Sequence, residues 1–478
     1  MEITTTANGV RRMSSQSDSD LAAINRAIIG EALTSDAAYD LVLELCDDVG
    51  LRFGGSEGEH RAAELLKRKL ESYGLADVHL EELAYTGWKR GPAALEVVEP
   101  GVPKPRIAAL ALPYTPNGDL TAELVFVGQG EVEDFERLKD QLAGRVVLCL
   151  AEGAAPPGKK SSHRREKYLR AVEAQAVGFL YVSQNPGQQL VTGSLTAAHA
   201  AEILGVAISL EDGADLQRAL KKGAVRVRLD VGGTFEPVVS YNVVGDVPGR
   251  DRRRHVLVGG HYDSHDIAPG AEDNGTGTAV AAEVGRLLAR HREALDASVR
   301  VVLFCGEEIG LLGSWEYVRR HEAELDDLLV MLNLDSVGRV MPGSELLRLM
   351  GAPDLEGYFA RMGETLAYPV AVESKGGAYS DHFPFVVYRV PTVSLGSTEK
   401  AGALVGRGWG HTASDTVDKV EALPLRFAAM LSARLALHVA TDPAWPAKRR
   451  TKEEVDQLLE AEGLNEYLRK TGRYPFQP

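Results

Sequence analysis

Cysteine is scarce: Cys46, Cys149 and Cys305 are the three in 478 residues, an odd number with no Cys-x-x-Cys spacing. A disulfide framework and a cysteine zinc knot are thereby excluded. Each cysteine sits in an apolar stretch, where a thiol serves as a small buried hydrophobe. A basic excess is also missing. The formal charge of −15 offers neither nucleic acid nor an anionic membrane surface the positive face it requires. No apolar stretch approaches the roughly 18 residues of a membrane span. The opening segment MEITTTANGVRRMSSQSDSD lacks the apolar core of a secretory signal. The expectation is a cytoplasmic protein that binds no nucleic acid and no membrane.

What is present is ordinary globular material, 44% hydrophobic and 25% charged, in a chain long enough for two or three domains. Residues 1–20 are polar and Ser/Thr-rich and are expected to form a disordered tail. Helical patterning follows, with an apolar segment around Leu41, Leu43, Leu45 and Cys46 that ends at GLRFGGSEGE. The helix AAELLKRKLESYG stops at Gly74, and VHLEELAYTGW alternates as a strand. Residues 112–236 read as a separate small α/β unit, with strands at AELVFVG, GRVVLCL, AVGFLYVS, GVAIS and VRVRLDV and helices between them. Its basic insert PPGKKSSHRREK reads as a solvated loop that could gate a substrate. The main domain is therefore expected in two pieces, 21–111 and 237–442. A C-terminal extension, 443–478, carries one amphipathic helix, TKEEVDQLLEAEGLNEYLRK, whose spacing marks packing on the body or on a neighbouring subunit.

From about residue 237 the units lengthen. HVLVGGHYDS, VRVVLFCGEE and LLVMLNLDSVG are buried strands running into loops, separated by the helices GTGTAVAAEVGRLLAR and LLGSWEYVRR. The predicted fold is α/β, a three-layer α/β/α arrangement about a mainly parallel sheet with a small α/β domain inserted. In such sheets sites form at the carboxyl ends of the strands. The fragments GGHYDSHDIAPGAEDNGTG, FCGEEIGLLGS, NLDSVG and WGHTASDTVDK place imidazole and carboxylate groups at those junctions. Zinc takes such donors. Two zinc ions bridged by one carboxylate fit the five-residue set His261, Asp273, Glu308, Asp335 and His411. One ion would take His261 and Glu308, the other Asp335 and His411, with Asp273 bridging. Asp263 can accept the free imidazole N–H of His261. Glu307, beside a ligand yet unligated, is the expected general base. His60, His265 and His382 are given no metal role.

Those fragments resemble the metal motifs of the co-catalytic dizinc aminopeptidases and carboxypeptidase Q-like peptidases. The resemblance implies the five ligands above, Asp263 as orienting carboxylate and Glu307 as base. It also implies a protease-associated domain in the middle unit and a homodimer. It spans roughly residues 35–440, including GLRFGGSEG and the GWKRG stretch through Gly91. The implied activity is zinc-dependent exopeptidase cleavage of dipeptides or short peptides with a free terminus. Alternatives on the same site are hydrolysis of N-acyl amides and a glutaminyl cyclase-like transfer, because SDHFPF (Ser380–Phe385) resembles a cyclase stretch. Asp381 and His382 read as support around the ligands. Some family members carry a tyrosine before the last histidine as oxyanion donor; here Gly410 occupies that place, and Tyr379 is the substitute considered.

Overall fold

The computed structural model describes residues 7–101, 104–151, 161–339, 342–368, 370–398 and 408–473. Unbroken Val/Leu/Ile runs build its centre, as strands buried on both faces require. Asp251–His261 lies between Ala297–Phe304 and Leu328–Leu334, all parallel, and Thr392–Ser397 adds a further parallel strand. Glu345–Met350 and Arg226–Val247 pair antiparallel at either side of this group. Alternation along the strand divides its side chains between two layers. Val256 and Val258 enter one core with the helices Ala37–Leu43, Thr276–Ala289 and Ala422–Thr441, whereas Leu257 joins Tyr317, Val318 and Phe385 on the other face. This is the three-layer α/β/α architecture.

The inserted unit holds the parallel strands Gly118–Phe126, Val146–Leu150, Gly178–Val182 and Leu204–Ile208. No linker joins it to the main sheet. Ala76–Glu99 and Arg226–Val247 are long antiparallel partners that run from one domain into the other, so a boundary at 236/237 falls inside a single strand. Arg226–Val247 pairs with Gly118–Phe126 at one end and with Ala297–Phe304 at the other.

Four local expectations change. The first helix runs Ala7–Leu33, so residues 7–20 are helical rather than a disordered tail; residues 1–6 lie outside the described residues. Ile28 and Ala32 dock this helix onto the core, and a docked helix propagates cheaply beyond its anchored turns. Second, the basic insert is not simply a loop. Its residues 156–160 lie outside the described residues, but HRREK forms the cap and first turn of the helix Arg164–Glu173, with Arg164, Arg165 and Lys167 buried. The His163 side chain accepts from a backbone N–H while Glu166 accepts from the His163 N–H, a capping box that nucleates the helix there. Third, the C-terminal segment is two helices, Lys452–Ala461 and Asn465–Lys470. Gly463, at φ +70°, supplies the left-handed turn that ends the first. Fourth, Ala422–Thr441 is long and apolar enough to cross a membrane by composition, but 72% of that stretch is buried within the fold, where it serves as a core helix.

Candidate metal centre

The expected site residues converge where the parallel strands end. His261 closes its strand, Glu307 and Glu308 follow Phe304, and Asp335 follows Leu334. His261 Nε2 lies 3.4 Å from Asp273 Oδ1 and 3.7 Å from Asp335 Oδ1. His411 Nε2 lies 3.4 Å from Asp273 Oδ2 and 3.2 Å from Glu308 Oε2. The two oxygens of Asp273 thus face different histidines, as a bridging carboxylate must. The expected pairing of the other four is corrected: His261 groups with Asp335, and Glu308 with His411.

His265, given no metal role from sequence, belongs to the second group. Its Nε2 lies 2.9 Å from Glu308 Oε2, and its ring meets the His411 ring edge-on at 4.4 Å. His265 is therefore placed to bind metal or to hold Glu308. His265→Ala is expected to lower zinc affinity about 10- to 100-fold, measured by competition with a chromophoric chelator; unchanged affinity would reduce His265 to packing.

Contacts around the ligands fix their orientation. The ring N–H at His261 Nδ1 is nearest the Asp263 carbonyl at 3.1 Å, with the Asp263 carboxylate at 3.4 Å. That carboxylate is fully buried and accepts from the backbone N–H groups of Glu307 and Glu308 at 3.0 and 3.2 Å. Asp263 thus clamps the turn carrying Glu307 and Glu308, more than it orients the imidazole alone. His411 Nδ1 faces the Thr192 carbonyl of the inserted domain at 3.1 Å, which turns Nε2 toward the carboxylates. Ser380 Oγ donates to Asp335 Oδ2 at 2.6 Å. Asp381 and His382 lie outside the two donor groups; burial raises the Asp381 pKa to about 7 and lowers that of His382 to about 4. His60 points away, its Nε2 at the Val239 carbonyl.

Two positioning residues escaped the sequence reading. Arg52, wholly buried, donates to the carbonyls of Tyr262 at 2.7 Å, Leu45 at 3.1 Å and Gly270 at 3.1 Å. It ties the GLRFGG turn to both ends of the loop between His261 and Asp273. Asp415 accepts from the backbone N–H groups of Glu272 and Asp273 at 2.7 and 3.1 Å. Burial raises its pKa to about 7. Local pattern offered a hint only for Arg52, an arginine inside a glycine-rich apolar turn.

The electrostatics call for cations. Burial opposes charge on His261, yet Glu307, Asp263, Asp273 and Asp335 raise its pKa well above the usual imidazole value. Burial, with the charges of Glu308, Asp335 and Asp381, raises the Glu307 pKa well above the usual carboxylate range despite His261. Burial pushes Glu308 the same way, but His265 and His411 outweigh it and hold its pKa well below that range. His261 Nε2 and Glu308 Oε1 are buried without a hydrogen-bond partner. Nitrogen and oxygen donors in this state fit zinc. The Glu307 carboxylate makes no hydrogen bond among the described residues and lines a cavity beside Glu308 and His411. Tyr379 lines the same cavity, but its hydroxyl donates to Glu166 at 2.8 Å and its ring stacks on His163.

A sheet of this topology with paired imidazole–carboxylate groups at its strand ends defines a metallohydrolase. Residues 242–435 match Peptidase family M28 and residues 120–216 the PA domain. Carboxypeptidase Q of Mus musculus is 27% identical over 334 residues, 67% of this chain and 68% of that protein. Leucine aminopeptidase 2 of Trichophyton equinum is 30% identical over 288 residues, 60% of this chain and 54% of that protein. A peptidase M28 precursor from Shewanella amazonensis shares the fold with a TM-score of 0.74 at 24% identity, covering 91% of this chain and 99% of that one. BSAP, a zinc aminopeptidase from Bacillus subtilis, aligns with a TM-score of 0.65 at 26% identity over 84% of this chain and 94% of that one. Residues 242–435 thus carry the peptidase family M28 match and residues 120–216 the PA-domain match, and the protein is a zinc-dependent exopeptidase.

Proposed function

We propose that the enzyme cleaves dipeptides or short peptides with a free terminus and works with two zinc ions. His261, Asp273 and Asp335 would hold one, and Glu308, His411 and Asp273 the other, with His265 beside them. The observation that carries this reading is Asp273, whose two oxygens face the two histidine groups 3.4 Å away on either side. Bound zinc supplies a water with its pKa lowered toward about 7 and a polarised scissile carbonyl. Glu307, uncommitted and facing the cavity, accepts the proton of the attacking water and passes it to the leaving amine. Asp263 keeps Glu307 and Glu308 in register by holding both backbone N–H groups. The second donor group supports a two-metal peptidase over a single-zinc cyclase.

The test is a panel of dipeptides, aminoacyl amides, N-acyl amino acids and N-terminal glutaminyl peptides, assayed after chelation and again after zinc is restored. Zinc-dependent cleavage of the dipeptides is expected. Turnover confined to glutaminyl or N-acyl substrates would remove the peptidase assignment.

A further inference from the structure

The cavity beside Glu307 is built from three parts of the chain. The main domain contributes Glu307, Glu308, Trp315 and Phe383; the PA-domain helix contributes Arg165; the C-terminal extension contributes Leu468 and Arg473. Its enclosed part is small, about 30 Å³, and it opens to solvent at its mouth.

Both arginines are anchored to the turn that carries the ligand Glu308. Arg165 Nη2 donates to Ser194 Oγ, which donates to the Glu308 carbonyl at 2.7 Å. Arg473 Nη2 donates to the Gly310 carbonyl at 2.6 Å, and its guanidinium lies over the Trp315 ring at 5.6 Å. Neither has an ion-pair partner among the described residues, whereas Arg90, Arg449 and Arg450 pair with Asp266, Asp326 and Asp354. Arg165 is 8% exposed. Burial, then the charge of Arg165, lowers the Arg473 pKa to about 10, so Arg473 remains cationic at neutral pH. The nearby acid is already engaged: Glu166 accepts from the His163 N–H at 2.9 Å and from the Tyr379 hydroxyl at 2.8 Å. Neighbouring Arg164 is directed instead at the carbonyls of Thr192 and Ser194.

A buried and a half-buried guanidinium, each with unused donors and no ion-pair partner among the described residues, form a receptor for a carboxylate, which matches their planar fork. We propose that Arg165 and Arg473 read the free C-terminal carboxylate of the substrate, so that the enzyme selects dipeptides and short peptides over their amides. This rests on the exopeptidase reading. In a dipeptide one residue, about 3.5 Å of extended chain, lies between the scissile bond and that carboxylate. Arginines fixed to the turn that carries Glu308 are anchored where such a group would arrive. The PA domain and the C-terminal extension thereby become parts of the substrate site.

The experiment compares leucyl-glycine, leucyl-glycinamide and leucine p-nitroanilide on the zinc-restored full chain and on Arg165→Met and Arg473→Met. The unaltered enzyme is expected to prefer leucyl-glycine to its amide by about 100-fold in kcat/KM, mainly through KM. Each variant is expected to reduce that preference about 30-fold, with partial recovery in the lysine variants. Equal rates on peptide and amide in the unaltered enzyme would overturn the assignment, and so would variants that slow both substrates equally and leave the ratio intact. Zinc-dependent cleavage without discrimination spares the exopeptidase reading. No turnover of any of the three substrates overturns that reading and this assignment together.

Discussion

Glu307→Gln is expected to retain the zinc content of the unaltered enzyme and to lose about 1000-fold in kcat. The substitution preserves shape and removes the proton acceptor. It breaks no protein hydrogen bond, since the Glu307 carboxylate makes none among the described residues, and removes only its charge beside His261. The Asp263 clamp acts on the backbone N–H and survives the change. The pH dependence follows from the same surroundings. Burial, together with the charges of Glu308, Asp335 and Asp381, raises the Glu307 pKa despite the opposing His261. That raised value is the metal-free one, and bound cations would lower it. Only the ionised carboxylate accepts a proton, so kcat/KM of the zinc-loaded enzyme should fall as pH drops through the Glu307 pKa. Steady-state kinetics from pH 4 to 9 with parallel metal analysis provide the check. Full activity in the variant would remove Glu307 as the base.

Chelation is expected to lower the melting temperature on the order of 10 °C at pH 8 and much less at pH 5. Glu307, Asp381 and Asp415 have folded-state pKa values raised by burial, the last two to about 7. Without counter-ions the folded chain binds more protons than the unfolded chain between about pH 4 and 7. Its stability therefore falls as pH rises through that window. Bound cations reverse the penalty where the carboxylates are ionised, and they bind weakly where the donors are protonated. Asp273→Ala should mimic chelation, because both donor groups lose a member. Scanning calorimetry with and without chelator at the two pH values measures the effect. A shift equal at both would contradict this electrostatic account.

His261, Glu307, Glu308 and Asp335 stood out in the sequence because each follows a buried strand where the apolar run ends, whereas Asp273 and His411 lie on loops. Their grouping was not legible, since it depends on how the loops carrying Asp273, His265 and His411 fold back onto the strand ends. His265 was missed because its approach to Glu308 depends on a loop held by Arg52 from more than 200 residues away in sequence. Asp415 and the carbonyl of Thr192 act through backbone contacts that leave no pattern of residue types. The basic insert misled for a related reason: consecutive cations read as a solvated loop, yet Arg165 is buried against Ser194 and faces the cavity. The C-terminal extension showed its apolar face correctly, and Leu459, Leu464 and Leu468 do pack on the body. Its contribution of Arg473 to the cavity needed the turn at Gly463, which divides one expected helix into two.

Zinc titration of the chelated enzyme, followed by dipeptide hydrolysis and by bound metal on the same samples, tests the proposed centre most directly. Activity should rise until two equivalents per chain are bound and then level off, with Glu307→Gln binding the same two equivalents in silence. Full activity at one equivalent, or a second ion that binds without the Asp273 carboxylate, would contradict it.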